Sequence, residues 1–248
     1  MQFDDIRAFF RPYYHPGNAS LVLAGDISVA EGFDLAERYF GEIPAGEPIP
    51  ALDVPPVTSA GRRILLEDRV ELPRVYLAWH SPATFKPGDA DADLLSDLLA
   101  NGKTSRLYRT LVFERRLAVD VSAYQYSREL GGFFLLVATA APGRTLTEIV
   151  DVVDETLAAI VVDGPTDDEM ARGVAQAEAH FVYRLQSVGG FGGKSDQLNA
   201  YNTFLGQPDY FGADLDRYAR VTRESLRGVV ASWLRPDRSE EHTSELQS

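Results

Sequence analysis

Apolar positions in the larger, later part of the chain recur first with the period of a strand and then with that of a helix. Alternating or continuous apolar runs predict strands at 63–67, 74–80, 117–126 and 132–139. Helical spacing predicts the other elements, at 90–100, 104–114, 145–163, 166–185, 194–205, 210–218 and 223–234. Paired strands with clustered helices indicate a two-layer α+β domain and not a doubly wound sheet.

Capping signals set the ends of two of these helices. Thr145 with Glu148, and Thr166 with Glu169, form capping-box patterns in which both side chains bond free amides of the first turn. Gly164, followed by proline, ends the first of the two helices. The second helix is therefore expected to follow the first directly.

A proline-rich segment divides the chain. Five prolines disfavour helix and ladder formation and predict an extended linker over 45–61; they are Pro44, Pro48, Pro50, Pro55 and Pro56. Before the linker, 1–44 holds a predicted strand (20–24) between predicted helices (4–14 and 29–40), which is too little for a core. This segment is interpreted as the end of a domain that begins upstream, and 62–237 as a complete second domain.

The end of the chain departs from this pattern. Residues 238–248 have no helical period and resemble the translation of a sequencing-library adapter. We interpret 238–248 as an artefact that is disordered and dispensable, and His242 is set aside with it.

Composition narrows the classes of partner. The net charge is −13, and the basic residues are scattered among more numerous acids, so no nucleic-acid partner is expected. The acidic surface either attracts cationic peptides weakly or only keeps the protein soluble. The absence of cysteine excludes disulfides and thiolate metal sites. No run approaches the ~18 apolar residues of a membrane span, so none is expected in this chain.

Two short strings resemble the end of a phosphate-binding loop. They are Gly102-Lys103 and Gly193-Lys194, each followed by a hydroxyl residue. The glycine required five residues earlier is replaced by Asp97 and Val188, and both strings follow predicted helices instead of strands. Nucleotide binding is therefore not expected.

The remaining histidines do not form a metal-binding pattern. His15, His80 and His180 are not at helical ligand spacing, and the chain contains no H-x-x-E-H, H-E-x-x-H or G-x-S-x-G motif. They are interpreted as residues of a turn, a strand end and a helix surface. No catalytic, metal or cofactor-binding residue is predicted in this chain.

The glycine-rich run 189–193 stands between two predicted helices. Four glycines in five positions indicate either a flexible joint or a close backbone approach to a bound peptide. Both interpretations remain open from the sequence.

Four strings, in this order and spacing, resemble the pitrilysin/insulinase-type zinc peptidases. They are YYHPGNASLVLAGD at 13–26, YFGEIP at 39–44, LLANGKTSRLY at 98–108 and LAVDVSA at 117–123. The likeness extends over 3–237. It implies a mostly antiparallel sheet with helices on one face. It also implies that 1–44 ends a zinc-bearing peptidase domain and that 62–237 is the non-catalytic, substrate-chamber domain after it.

In that family, two His and a Glu of an H-x-x-E-H motif, with a more distal Glu, act on peptides inside a chamber closed by two similar halves, and the motif's Glu activates a zinc-bound water. The resemblance places all these ligands upstream of Met1. It therefore implies a zinc-dependent endopeptidase in the intact protein, with zinc as cofactor and peptides as substrates. Its implied partners are the missing zinc-bearing domain and the opposite half. The chain alone is expected to bind no zinc and to be inactive.

Related members carry an Arg and a Tyr that reach into the opposite half, and here the aligned positions are Val112 and Val119. This departure favours the domain that lies in the zinc-bearing half. Some members have a glycine-rich substrate loop before the helix, so Asn101, Gly102 and Lys103 are predicted to face substrate. The alternative is a simple capped turn.

Relatives of this family also serve as non-catalytic scaffold or assembly subunits, and this is the alternative function. An intact or a degenerate upstream H-x-x-E-H motif would distinguish the two. The resemblance further implies a bacterial periplasmic or cell-envelope location.

Overall fold

The computed structural model describes residues 2–50, 52, 54–55 and 61–235 with their side chains, and the backbone of 240–246. The helices are α1 (Phe3–Tyr13), α2 (Val29–Phe40), α3 (Asp89–Ala100), α4 (Leu146–Asp163), α5 (Asp167–Arg184), α6 (Lys194–Leu205), α7 (Phe211–Ala219) and α8 (Arg223–Trp233), with a 3₁₀ helix at Pro16–Asn18 and a π-helix at Tyr108–Glu114. The strands are β1 (Arg62–Asp68), β2 (Arg74–Ser81), β3 (Ala118–Ser127), β4 (Gly132–Ala140) and β5 (Glu240–Leu246).

These strands form one sheet with the order β1-β5-β2-β4-β3. All neighbouring pairs are antiparallel except β1 with β5, which is parallel. Val75, Leu77 and Trp79 alternate as buried residues along β2, and Leu77 and Trp79 lie opposite the buried Leu136 and Phe134 of β4. Opposed residues in an antiparallel pair share a face, so this face of the sheet is apolar.

Helices cover the apolar face. Leu95 and Leu99 of α3, Ile149 and Val153 of α4, and Leu226 of α8 are fully buried in one hydrophobic cluster with the β2 and β4 residues. The prediction of an α+β domain, with a mostly antiparallel sheet and helices packed on one face, is confirmed.

Both predicted capping boxes are present at the helix starts. Glu148 N donates to Thr145 Oγ1 at 3.3 Å, and Thr145 N donates to a Glu148 carboxylate oxygen at 2.9 Å. Thr166 and Glu169 make the same reciprocal pair at the start of α5. Because these bonds join residues three apart, local sequence was sufficient to predict them.

The chain falls into two compact units. One comprises Met1–Pro55 and Ala179–Leu215, and the other comprises Pro56–Glu178 and Asp216–Ser248. Inside the first unit, Asn202 of α6 donates a hydrogen bond to Ser20 Oγ at 2.8 Å. Residues 179–215 thus group with the N-terminal segment, although the sequence assigned them to 62–237. The predicted domain boundaries at 1–44, 45–61 and 62–237 remain predictions.

The predicted strand at 20–24 is wrong. The structure describes no strand there, and the apolar side chains of Leu21 and Leu23 are exposed. A strand needs a hydrogen-bonded neighbour, and the described residues supply none to this segment.

The helix predicted at 104–114 is mostly a π-helix and begins later than predicted. Residues 103–104 form a turn, and Tyr108–Glu114 is a π-helix in which Arg115 N bonds Thr110 O at 2.9 Å, five residues back. Hydrophobic spacing does not distinguish this wider helix from an α-helix over so short a segment.

The predicted disorder of 238–248 is wrong for the part that is described. Glu240–Leu246 form β5, which pairs with both β1 and β2. Backbone hydrogen bonds form a ladder whatever the side chains are, and a polar segment can therefore occupy such a position. Residues 238, 239, 247 and 248 lie outside the described part, and an adapter origin of the segment remains a prediction.

Candidate substrate-facing groove

The loop after α3 presents the three residues that were predicted to face substrate. Asn101 ends the helix and donates from Nδ2 to Asp97 Oδ1 at 2.9 Å. Gly102 has a φ of 79°, in the left-handed region that glycine adopts at little cost, and its O accepts a bond from Ser105 Oγ at 2.7 Å. Asn101, Gly102 and Lys103 are all exposed. Their contact with substrate remains a prediction.

A groove of about 940 Å³ opens beside this loop, within the second unit. Its walls are the π-helix, the middle of α4 and the first turns of α5. Lys103 lines the groove, whereas Asn101 lines an adjoining recess of about 20 Å³ together with Arg172. Gly102 lines neither cavity. Of the three residues predicted to face substrate, only Lys103 therefore lines the groove, and most of the other lining residues were not predicted.

An ion pair between Arg106 and Glu169 forms part of the groove wall. Arg106 Nε and Nη2 donate to the two carboxylate oxygens, both at 2.7 Å, and Nη2 also donates to Gly164 O at 3.0 Å. The side chains are only 18% and 14% exposed. Burial raises the pKa of Glu169. The hydrogen bonds from Arg106 and Thr166 and the charge of Arg106 outweigh burial, and lower this pKa from 4.5 to about 2.

Sequence reasoning assigned Glu169 only a capping role, because its partner is 63 residues away along the chain. No local pattern encodes such a pairing. The ion pair joins the segment after α3 to the start of α5, so it fixes two walls of the groove.

The π-helix supplies the apolar part of the lining. Phe113 is 74% exposed and lines the groove, whereas Leu111, two residues earlier, is fully buried in the core. Segments of π-helix are frequent at functional sites, because the extra residue redirects side chains.

Two further ion pairs lie in the lining. Arg109 Nε is 3.3 Å from Glu114 Oε1, and Arg115 Nη2 is 3.0 Å from Glu155 Oε2. All four side chains are at least half exposed, so each pair contributes little to stability.

The described residues do not fit a zinc site. His15 lies in a turn and bonds Pro12 O, His80 lies in β2, and His180 lies on the surface of α5. Within the described ranges, no three His, Cys, Asp or Glu side chains are grouped as metal ligands. Val112 packs against the core, whereas Val119 is exposed.

The glycine-rich run is held by hydrogen bonds. Lys194 N bonds Ser187 O at 2.9 Å, Ser195 N bonds Val188 O at 3.1 Å, and Gly192 N bonds Asp196 Oδ2 at 2.8 Å. Phe191 at its tip is fully exposed. The run is thus a closed loop in this structure, while its predicted roles in flexing or in peptide contact remain open.

Known peptidase structures share this fold. A protease from Helicobacter pylori superposes with a TM-score of 0.85 at 22% identity, covering 99% of this chain and 59% of that one. The peptidase M16 inactive domain from Pseudomonas fluorescens gives a TM-score of 0.85 at 18% identity, covering 100% of this chain and 58% of that one. These likenesses define the class of the protein as an M16-like peptidase fold.

Residues 1–177 match the family described as the Peptidase M16 inactive domain, and the chain belongs to this family. The zinc protease PqqE of Helicobacter pylori is 28% identical over 217 residues, which are 86% of this chain and 49% of that protein. The chain spans about half the length of the curated relatives it matches. The predicted family resemblance is confirmed. Among the described residues, no helix is both long and apolar enough to cross a bilayer.

Proposed function

We propose that this chain forms the non-catalytic wall of the substrate chamber in a bacterial zinc endopeptidase. The observation that carries the proposal is the match of residues 1–177 to the inactive-domain family, supported by curated relatives that are named zinc proteases. The described residues do not fit zinc, so the proposed metal ligands and general base belong to a zinc-bearing domain outside this chain. The proposed location is the periplasm or cell envelope.

The N-terminal segment supports a second domain in the intact protein. Neither α1 nor α2 has a buried residue, and Phe9, Phe10 and Phe33 are exposed. On α1 the ring of Phe9 contacts the rings of Phe10 and Tyr13, and a contiguous exposed apolar patch of this kind marks an interface. We assign these helices, with the unpaired segment 20–24, to the zinc-bearing domain, whose sheet would cover them.

The test compares the intact protein, with its native upstream sequence, with the chain alone. Zinc content is measured by elemental analysis, and cleavage of a diverse peptide library by mass spectrometry. The intact protein is expected to bind zinc and cleave peptides. A version with the glutamate of its H-x-x-E-H motif changed to glutamine, and the chain alone, are expected to cleave none.

An intact protein that holds zinc in an intact motif and still cleaves no peptide would replace the peptidase proposal with the scaffold alternative. Cleavage by the chain alone would show that the active site is placed wrongly.

A further inference from the structure

We propose that the groove between the π-helix, α4 and α5 binds an extended peptide segment in which an acidic side chain stands next to an apolar one. This inference rests on the proposed function, because the wall of a substrate chamber meets peptides. It goes further by assigning a class of peptide to one site.

The size of the groove suits such a ligand. Its volume of about 940 Å³ lies at the upper end of the ~300–1,000 Å³ that ligand sites span. Helices α4 and α5 and the π-helix wall it on three sides, and the Arg106–Glu169 pair keeps two of these walls in place. A preformed groove of this kind loses little freedom on binding.

The net charge of the groove lining has the opposite sign to the net charge of the whole chain. The chain as a whole carries a net charge of −13. The groove is nevertheless lined by one more cation than anion; the cations are Lys103, Arg106, Arg109, Arg115 and Arg172, and the anions are Glu114, Glu155, Asp168 and Glu169. A locally positive groove on an acidic protein favours an acidic ligand over a basic one.

The cations that are available to a ligand are those that are not already held in a buried ion pair. Arg106 is held by its ion pair with Glu169. Arg109 and Arg115 each form a half-exposed pair with a glutamate, and a peptide carboxylate can replace that glutamate at little cost in free energy. Lys103 and Arg172 are exposed and line the groove, and neither forms an ion pair within the described part of the chain. Asp168 lies in the first turn of α5, where the helix dipole stabilises its charge.

Phe113 provides the apolar contact. Its ring is 74% exposed although it lies in the groove, so a ligand that covers it gains by removing apolar surface from water. Val152 and Ala159 of α4 line the same groove. Recognition of an acidic and an apolar side chain together follows from this arrangement.

The test measures binding of fluorescently labelled octapeptides to the 248-residue chain by anisotropy at low ionic strength. One peptide alternates Asp or Glu with Phe or Leu, and a second has every acid replaced by its amide. The acidic peptide is expected to bind, and the amide peptide to bind at least about tenfold more weakly. Raising the salt concentration should weaken only the first.

Matched variants locate the site. K103E and R172E should each weaken binding of the acidic peptide by about tenfold, whereas K86E, at an exposed cation outside the groove, should leave it unchanged. F113S should weaken binding, and F191S, at the fully exposed loop tip, should not. Far-UV circular dichroism checks that every variant is folded.

Equal affinity for the acidic and amide peptides, no saturable binding, or an equal effect of K86E would overturn the inference. The experiment needs no metal, so its failure leaves the zinc peptidase proposal standing. Conversely, an intact protein without peptidase activity leaves measured peptide binding in place.

Discussion

Replacing Glu169 by glutamine removes one charge from the groove and keeps the size of the side chain. The carboxylate accepts two bonds from Arg106 and one from the amide of Thr166, each at 2.7 Å. E169Q therefore leaves the Arg106 guanidinium largely buried and without its counter-charge, and weakens the cap of α5. Both effects destabilise the folded chain.

The size of the effect follows from the pKa of Glu169, which is lowered from 4.5 to about 2. A shift of this size corresponds to about 3 kcal/mol of folding free energy, or roughly 6–12 °C in Tm for a chain of this length. Because the folded pKa is below the unfolded one, this contribution is complete above pH 4.5. It is lost as the pH falls from 4.5 towards 2.

Urea unfolding of wild type and E169Q at pH 7 and at pH 3 measures the difference. The variant should be less stable by about 3 kcal/mol at pH 7, and the gap should narrow at pH 3. E155Q is the control, because Glu155 makes a 3.0 Å pair with Arg115 but is 61% exposed, and it should cost less than about 1 kcal/mol. Equal losses in E169Q and E155Q, or a gap that does not depend on pH, would refute the reasoning.

Two other predictions concern different parts of the chain. The hydroxyl of Tyr201 is buried and donates to the buried Asp214 at 2.8 Å, so Y201F should lower the free energy of unfolding by about 1–3 kcal/mol. Y183F, at an exposed tyrosine, should change it by less than about 0.5 kcal/mol in the same urea titration. A chain that ends at Arg235 loses β5, the only described neighbour of β1 and one of the two neighbours of β2. Hydrogen exchange should therefore become fast in β1 and in the β2 amides that face β5, while β4 and β3 stay protected. If β1 stays protected in this shortened chain, β5 does not hold β1, and the interpretation of 238–248 as a dispensable, adapter-derived segment is supported.

The features that the sequence predicted well are those that neighbouring residues determine. The capping boxes at Thr145 and Thr166 place the starts of α4 and α5, and the alternation of Val75, Leu77 and Trp79 marks the buried face of β2. Both signals act within a few residues, and sequence patterns record them directly.

The features that the sequence missed depend on residues far apart. The pairing of Arg106 with Glu169 spans 63 positions, and it defines the groove that Lys103 lines. Likewise, the apolar run at 20–24 predicted a strand that is absent, because a strand forms only with a neighbour, and a single sequence does not show whether one is present.

The π-helix has a consequence for comparison with relatives. Each hydrogen-bonded turn that is closed to the fifth residue back encloses one residue more than an α-helical turn, which is closed to the fourth. A relative with an α-helix at Tyr108–Glu114 would therefore show a one-residue deletion there, and each residue turns a helix by about 100°. Positions equivalent to Val112 and Val119 therefore cannot be found by counting along this segment, and the β3–β4 register gives a fixed reference only from Asp120 onward, because it skips Val119. A change of one residue in the length of this segment would change which side chain faces the core and which faces the groove.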